Sequence, residues 1–145
     1  MHRKLERFLT RQEEYYPQAL AEIRAGYKEG HWMWFIFPQL RGLGRSNESW
    51  YYGLEDLREA GDYLDHPVLG PRLREITGAL LELDKTHPWE IFGGADSRKL
   101  CSCMTLFALV AEDEAENPFA RVLEQYFHGQ GDYLTETILR EKGCL

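Results

Sequence analysis

Cysteine is scarce in this chain of 145 residues, which has only Cys101, Cys103 and Cys144. An odd count with one i,i+2 pair does not make a disulfide framework, and reduced thiols point to a cytoplasmic setting. Long apolar runs are missing as well. The longest, WMWFIF, spans six residues before Pro38, against the roughly 18 that a membrane helix needs, so no membrane span is expected. The opening MHRKLERFLTRQEE is charged throughout and has no apolar h-region, so it does not read as a signal peptide. Basic charge is short too: 17 Lys and Arg against 24 Asp and Glu leave a net charge of -7. An acidic surface repels a phosphate backbone, and nucleic acid is therefore not an expected partner. Metal-ligand spacings such as H-x-x-x-H and C-x-x-C are absent, and Cys101 and Cys103 would point roughly 200° apart on a helix. Neither a metal nor a cofactor is expected. G-x-G-x-x-G, Walker and G-x-S-x-G patterns are absent as well.

What is present describes a globular protein. The hydrophobic fraction is 43% and the aromatic fraction 13%, enough to build one core, and the length suits a single domain over residues 1–145. Apolar residues recur at helical spacing from Arg3 to about Glu14, and again from Pro17 to a stop at Gly26. Residues 31–37 show no clear period and fit either a buried strand-like segment or a buried short helix. Arg41 to Asn47 reads as a glycine-bearing loop. Further helices are expected over Glu55–Leu64, from Pro71 with Leu73, Ile76, Leu80 and Leu83 inward, and, beyond a short turn at Trp89–Phe92 that Gly93 and Gly94 break, over Ser97–Val110 behind an Asp96 N-cap. The last of these is apolar on nearly every face, the mark of a central helix. Asn117-Pro118 and Asp132 open two more, ending near Gly129 and at Gly143. Nothing alternates with period two. The expected fold class is all-α, a bundle of about seven helices with short connections.

The stretch HWMWFIFPQLRGLGRS, His31 to Ser46, carries most of the candidate chemistry. Trp32, Trp34, Phe35 and Phe37 supply core area, as aromatics usually do, yet Trp32 and Trp34 also have faces for stacking. Polar residues flank them: Lys28, His31, Gln39, Arg41, Arg45 and Ser46. Apolar walls with a few polar groups make a small-molecule site. Stacking tryptophans, the cations Lys28, Arg41 and Arg45, and His31 with Gln39 for orientation suit a small, flat, anionic, nucleotide-like ligand. Histidine titrates near ~6.5 and can serve as acid or base, so His31 is a candidate catalytic group. Lys99 is the other. It lies with Asp96, Ser102 and Thr105 on a polar line along the central helix, where back-bonding of the hydroxyls to the helix is the plainer account. His66 and His87 precede prolines, and His128 precedes a glycine, so these three read as turn and helix-end residues. A non-catalytic interaction module anchored on Trp50, Tyr51 and Tyr52 is the alternative to a ligand site.

Four strings, HWMWFIFPQLRGLGRS, HPVLGPRL, IFGGAD and KLCSCMTLF, together resemble the bacterial DUF1810 family of the Rv1873-like helical superfamily. The resemblance runs from about Phe8 to Leu139. It implies an all-α fold and no established activity. It also implies a set of motif residues that includes Lys28, His31, Trp34, Gln39, Gly44, Gly70, Asp96, Lys99, Ser102 and Thr105. Cys103 departs from the pattern, which has a second serine there, and that counts against a catalytic role for the position. The spacing from Asp132 to Thr135 and Thr137 fits the family's closing Asp-x-x-Thr pattern only approximately.

Overall fold

The computed structural model describes residues 3–145. A 3-10 turn, Arg3–Leu5, leads into α1 (Glu6–Ala25), followed by α2 (Met33–Ile36), α3 (Asn47–Tyr51), α4 (Leu57–Asp65), α5 (Leu69–Glu82), α6 (Trp89–Val110), α7 (Pro118–Phe127) and α8 (Tyr133–Glu141). Among the described residues the only β pairing is an isolated parallel bridge between Leu40 and Leu54. The fold is all-α, with eight α-helices among the described residues. No helix among these residues is long and apolar enough to cross a membrane. No group of three or more His, Cys, Asp or Glu among them is placed to hold a metal ion.

The first two expected helices are one. Pro17 sits inside α1, and Phe8, Gln12, Tyr16, Ala19 and Ile23 form a single buried stripe across it. A proline inside a helix costs about 3 kcal/mol, and burying five side chains of one continuous face outweighs that. Gly26 then ends the helix in the left-handed region, φ 81°. Residues 33–36 resolve as a short helix. Ser46 opens α3, a helix not expected from the sequence, by accepting the Ser49 N–H at 3.1 Å. Asp56, Asn117 and Asp132 cap α4, α7 and α8 in the same way.

The expected central helix is the long arm of α6. Leu100, Cys103, Met104, Leu106 and Phe107 are fully buried, and α6 packs against α4, α7 and α8. The expected break before it lies at Gly93, whose φ of 77° and ψ of -178° leave the helical region. Asp96 is not the cap; the helix runs on through it back to the kink at Gly93, and its carboxylate is used elsewhere. The α1 and α2 helices are tied to α4 by Gln12, whose buried amide donates to the Phe35 carbonyl at 2.8 Å and to the Tyr63 hydroxyl at 2.9 Å.

Gly70, at the start of α5, faces the Leu64 carbonyl so closely that a Cβ would collide with it. Gly70→Ala is expected to destabilise the protein by about 2 kcal/mol, the cost of forcing a packed backbone apart. Urea unfolding measures this, and a loss under ~0.5 kcal/mol would show that the α4–α5 junction yields freely.

Candidate functional site

The chain reverses after Gly26, and Glu22 holds the turn. Its Oε1 accepts from the backbone N–H groups of Glu29 (2.8 Å) and Gly30 (2.9 Å) and from the Trp32 indole N–H (2.9 Å). Gln18 donates to Oε2 at 2.8 Å. Burial opposes the charge, but these donors prevail and bring the Glu22 carboxyl down to about 2. Trp32 is fully buried, with Phe37 at 6.2 Å and the Lys28 ammonium at 4.9 Å from its ring. Its N–H and its surroundings are occupied by the protein.

Lys28 reaches from this turn to α6. Its ammonium lies 2.8 Å from Asp96 Oδ2, with only 8% of its side chain exposed, and donates to the Gly30 carbonyl at 2.5 Å. The other oxygen of Asp96 pairs with Lys99 at 3.0 Å. One carboxylate thus bridges two ammoniums. Burial pushes Asp96 up, and the hydrogen bonds from Lys28 and Lys99 more than reverse this, leaving it below its ordinary value. Lys99 in turn lies 4.3 Å from the centre of the Trp34 ring.

Trp34, half-buried, lines two clefts. The first, of about 230 Å³, is shared by Trp34, Gln39, Gly44, Arg98, Lys99, Ser102 and Asp132, with Leu43, Ala95 and Leu134 completing its wall. Gln39 is only 7% exposed, and its side-chain amide makes no hydrogen bond among the described residues, while its main chain accepts the Leu54 N–H at 2.9 Å. The amide atoms are not sealed but keep solvent contact through the cleft, and they present open donor and acceptor capacity there. Ser102 donates to the Arg98 carbonyl at 3.1 Å and Thr105 to the Cys101 carbonyl at 2.7 Å. The polar line on α6 is therefore back-bonded, and Lys99 turns to Asp96 instead of Ser102. Thr105 also accepts the Asp132 N–H at 2.8 Å, which brings the α8 cap to the cleft.

The second cleft, of about 810 Å³, includes Arg11, Tyr15, His31, Trp34, Glu48, Tyr51 and Tyr52. His31 is exposed there and does not share a cleft with Lys99. Arg41 donates to the Trp50 carbonyl at 2.9 Å and pairs with Glu55 at 3.0 Å in a further groove. Arg45 is exposed, and Ser46 is spent on capping α3. Of the aromatic trio, Trp50 and Tyr51 are exposed, whereas Tyr52 is buried against Phe8 and Phe35. Sequence reasoning brought forward Trp34, Gln39 and Lys99. It missed Arg98, which has no local signal, and read Asp132 as a cap and an approximate motif residue without placing it at the cleft.

The sequence matches, over residues 2–139, the family described as "Protein of unknown function (DUF1810)". The chain belongs to the DUF1810 family. It is similar to the conserved hypothetical protein Rv1873 from Mycobacterium tuberculosis, known from a crystal structure, at 46% identity and a TM-score of 0.90 over 94% of this chain and 96% of that one. No curated protein matches it. In this DUF1810 protein the motif strings meet in space: Trp34, Gln39 and Gly44 from the first and Lys99 and Ser102 from the last face one cleft. Cys103, at the departing position, is fully buried; burial pushes its thiol well above its ordinary value and makes it a packing residue.

Proposed function

We propose that this DUF1810 protein binds a small anionic, nucleotide-like ligand in the Trp34–Gln39–Lys99 cleft. The observation that carries the reading is Gln39: a residue only 7% exposed whose side-chain amide makes no hydrogen bond among the described residues and opens onto a cleft walled by an indole. A carboxamide reads the donor–acceptor edge of a base or amide ring. Arg98 and Lys99 outnumber Asp132 on the cleft wall, which favours an anion. The volume of about 230 Å³ suits one ring, so a nucleotide's phosphate would lie at the rim near Arg98. The activity proposed is binding. Lys99 is held by Asp96 and His31 lies in the neighbouring cleft, so the two do not form an acid–base pair. Three free thiols support a reducing, cytoplasmic setting.

A thermal-shift series of nucleobases, mononucleotides and sugar phosphates tests this. A ligand at ten times its Kd should raise Tm by about 4 °C, and Gln39→Leu should weaken it at least ~10-fold, since a buried amide's lost hydrogen bond is worth that much. No shift from any of these classes overturns the reading.

A further inference from the structure

A groove of about 870 Å³ runs between the first turns of α1 and the α3–α4 segment, lined among others by Arg7, Arg11, Arg41, Trp50 and Tyr51. Its centre is Arg7. The side chain is 10% exposed, and its guanidinium lies 4.5 Å from the Phe8 ring. Nη2 donates to the Gly53 carbonyl at 3.0 Å and is 3.6 Å from Glu59. Nε is buried without any acceptor among the described residues. An arginine is normally placed where its fork is used in full; Nε is sealed from solvent, but Nη1 has no protein partner among the described residues and is not sealed, so it is the part of the fork open to the groove. Burial is the main influence on Arg7 and lowers its pKa, with Arg41 adding like-charge repulsion against the attraction of Glu59.

The carboxylates of the groove do not complete Arg7. Glu59 accepts the Glu55 N–H at 2.8 Å, and Glu55 is shared between Arg41 at 3.0 Å and Lys142 at 3.4 Å. Glu6 and Glu14 are exposed on α1; they would repel an extended polyanion but leave room for a small one. The rest of the groove is aromatic. Trp50 is 63% and Tyr51 55% exposed, and the Arg41 guanidinium lies 4.6 Å from the Trp50 ring. Arg11 reaches the Tyr52 hydroxyl at 3.2 Å and is otherwise open to solvent.

We propose that this groove is a second binding site, for a planar ligand carrying a single oxyanion group, such as an aromatic carboxylate or phosphate. The ring lies against Trp50 and Tyr51, and the oxyanion is held by Arg7, Arg11 and Arg41. The site is separate from the Gln39 cleft and does not rest on it.

The test is titration of the full chain with phenyl phosphate, benzoate, inorganic phosphate and neutral benzamide, read by Tm and by tryptophan fluorescence. At least one planar oxyanion should raise Tm and change the fluorescence, while benzamide does neither. The fluorescence change should be lost in Trp50→Phe. Arg11→Gln and Arg41→Gln, which alter exposed or half-exposed side chains, should each weaken binding at least ~10-fold, the scale of a charge-assisted hydrogen bond. Gln39→Leu should leave it unchanged. The relative affinity of phenyl phosphate and benzoate then tells whether the oxyanion is phosphate or carboxylate. The proposal is overturned if neither planar probe binds, if inorganic phosphate binds as well as they do, if the arginine variants bind like the wild type, or if Gln39→Leu abolishes binding.

Discussion

Asp96→Ala is expected to lower stability by about 3 kcal/mol, the largest single loss in the region, because it strands two ammoniums at once. Lys28 and Lys99 are 8% and 22% exposed at the side chain, so water replaces the lost carboxylate poorly for Lys28 and partly for Lys99. The substitution also removes the side-chain link between the turn after α1 and α6, leaving the bond from the Lys28 backbone N–H to the Ile91 carbonyl at 2.9 Å. Tm should fall by about 10 °C. Asp96→Asn keeps the shape and one acceptor but loses the charge, and should fall between the wild type and Asp96→Ala. Chemical denaturation at neutral pH measures both. A loss below ~1 kcal/mol for Asp96→Ala would mean that the lysines find other partners. Ligand binding in the Gln39 cleft should weaken in step, because Lys99 is aimed across Trp34 by this carboxylate.

Glu22→Gln is expected to cost about 2 kcal/mol at neutral pH, the scale of hydrogen bonds made to a charged acceptor. Four donors converge on the Glu22 carboxylate, two from the backbone of the turn. The amide of glutamine accepts through one oxygen only. The pH dependence has a definite sign. Glu22 ionises at about 2 in the folded protein against an ordinary 4.5, so its carboxylate stabilises the fold fully above pH 4.5 and progressively less as the pH falls towards 2. The wild type should therefore lose its advantage over Glu22→Gln across that interval. Equal stability of the two proteins at pH 7, or a gap that widens in acid, would rule out the anchoring role. Trp32→Phe should show the smaller loss of one hydrogen bond, about 1 kcal/mol before any packing change.

The candidate site was legible in the sequence by residue type and poorly legible by position. Trp32 and Trp34 look equivalent as letters. Their neighbours separate them: Trp32 meets Glu22 from α1 and is sealed, while Trp34, two residues on in the short α2, stays half open beside Lys99. Arg41 and Arg45, offered as ligand cations alongside Gln39, do not line the cleft that Gln39 faces, because the Leu40–Leu54 bridge draws Arg41 towards Trp50 and Glu55. Arg7 carried no signal at all, since its orphaned donor exists only once Gly53 and Phe8 have closed over it.

By itself the sequence determined the all-helical class, the apolar character of the central helix, the break at Gly93, and the caps at Asn117 and Asp132. Each of these depends on periodicity or on hydrogen bonds reaching no further than a turn or so along the chain. It also held the string HWMWFIFPQLRGLGRS, whose composition marked the candidate site. Tertiary structure alone decided that α1 runs through Pro17, that Asp96 bridges two lysines instead of capping, and that Gln39, Lys99 and Asp132 share a cleft. Those outcomes depend on which faces of distant helices bury together. A buried stripe can outweigh a local proline penalty, and side chains tens of residues apart acquire partners only after that packing is complete.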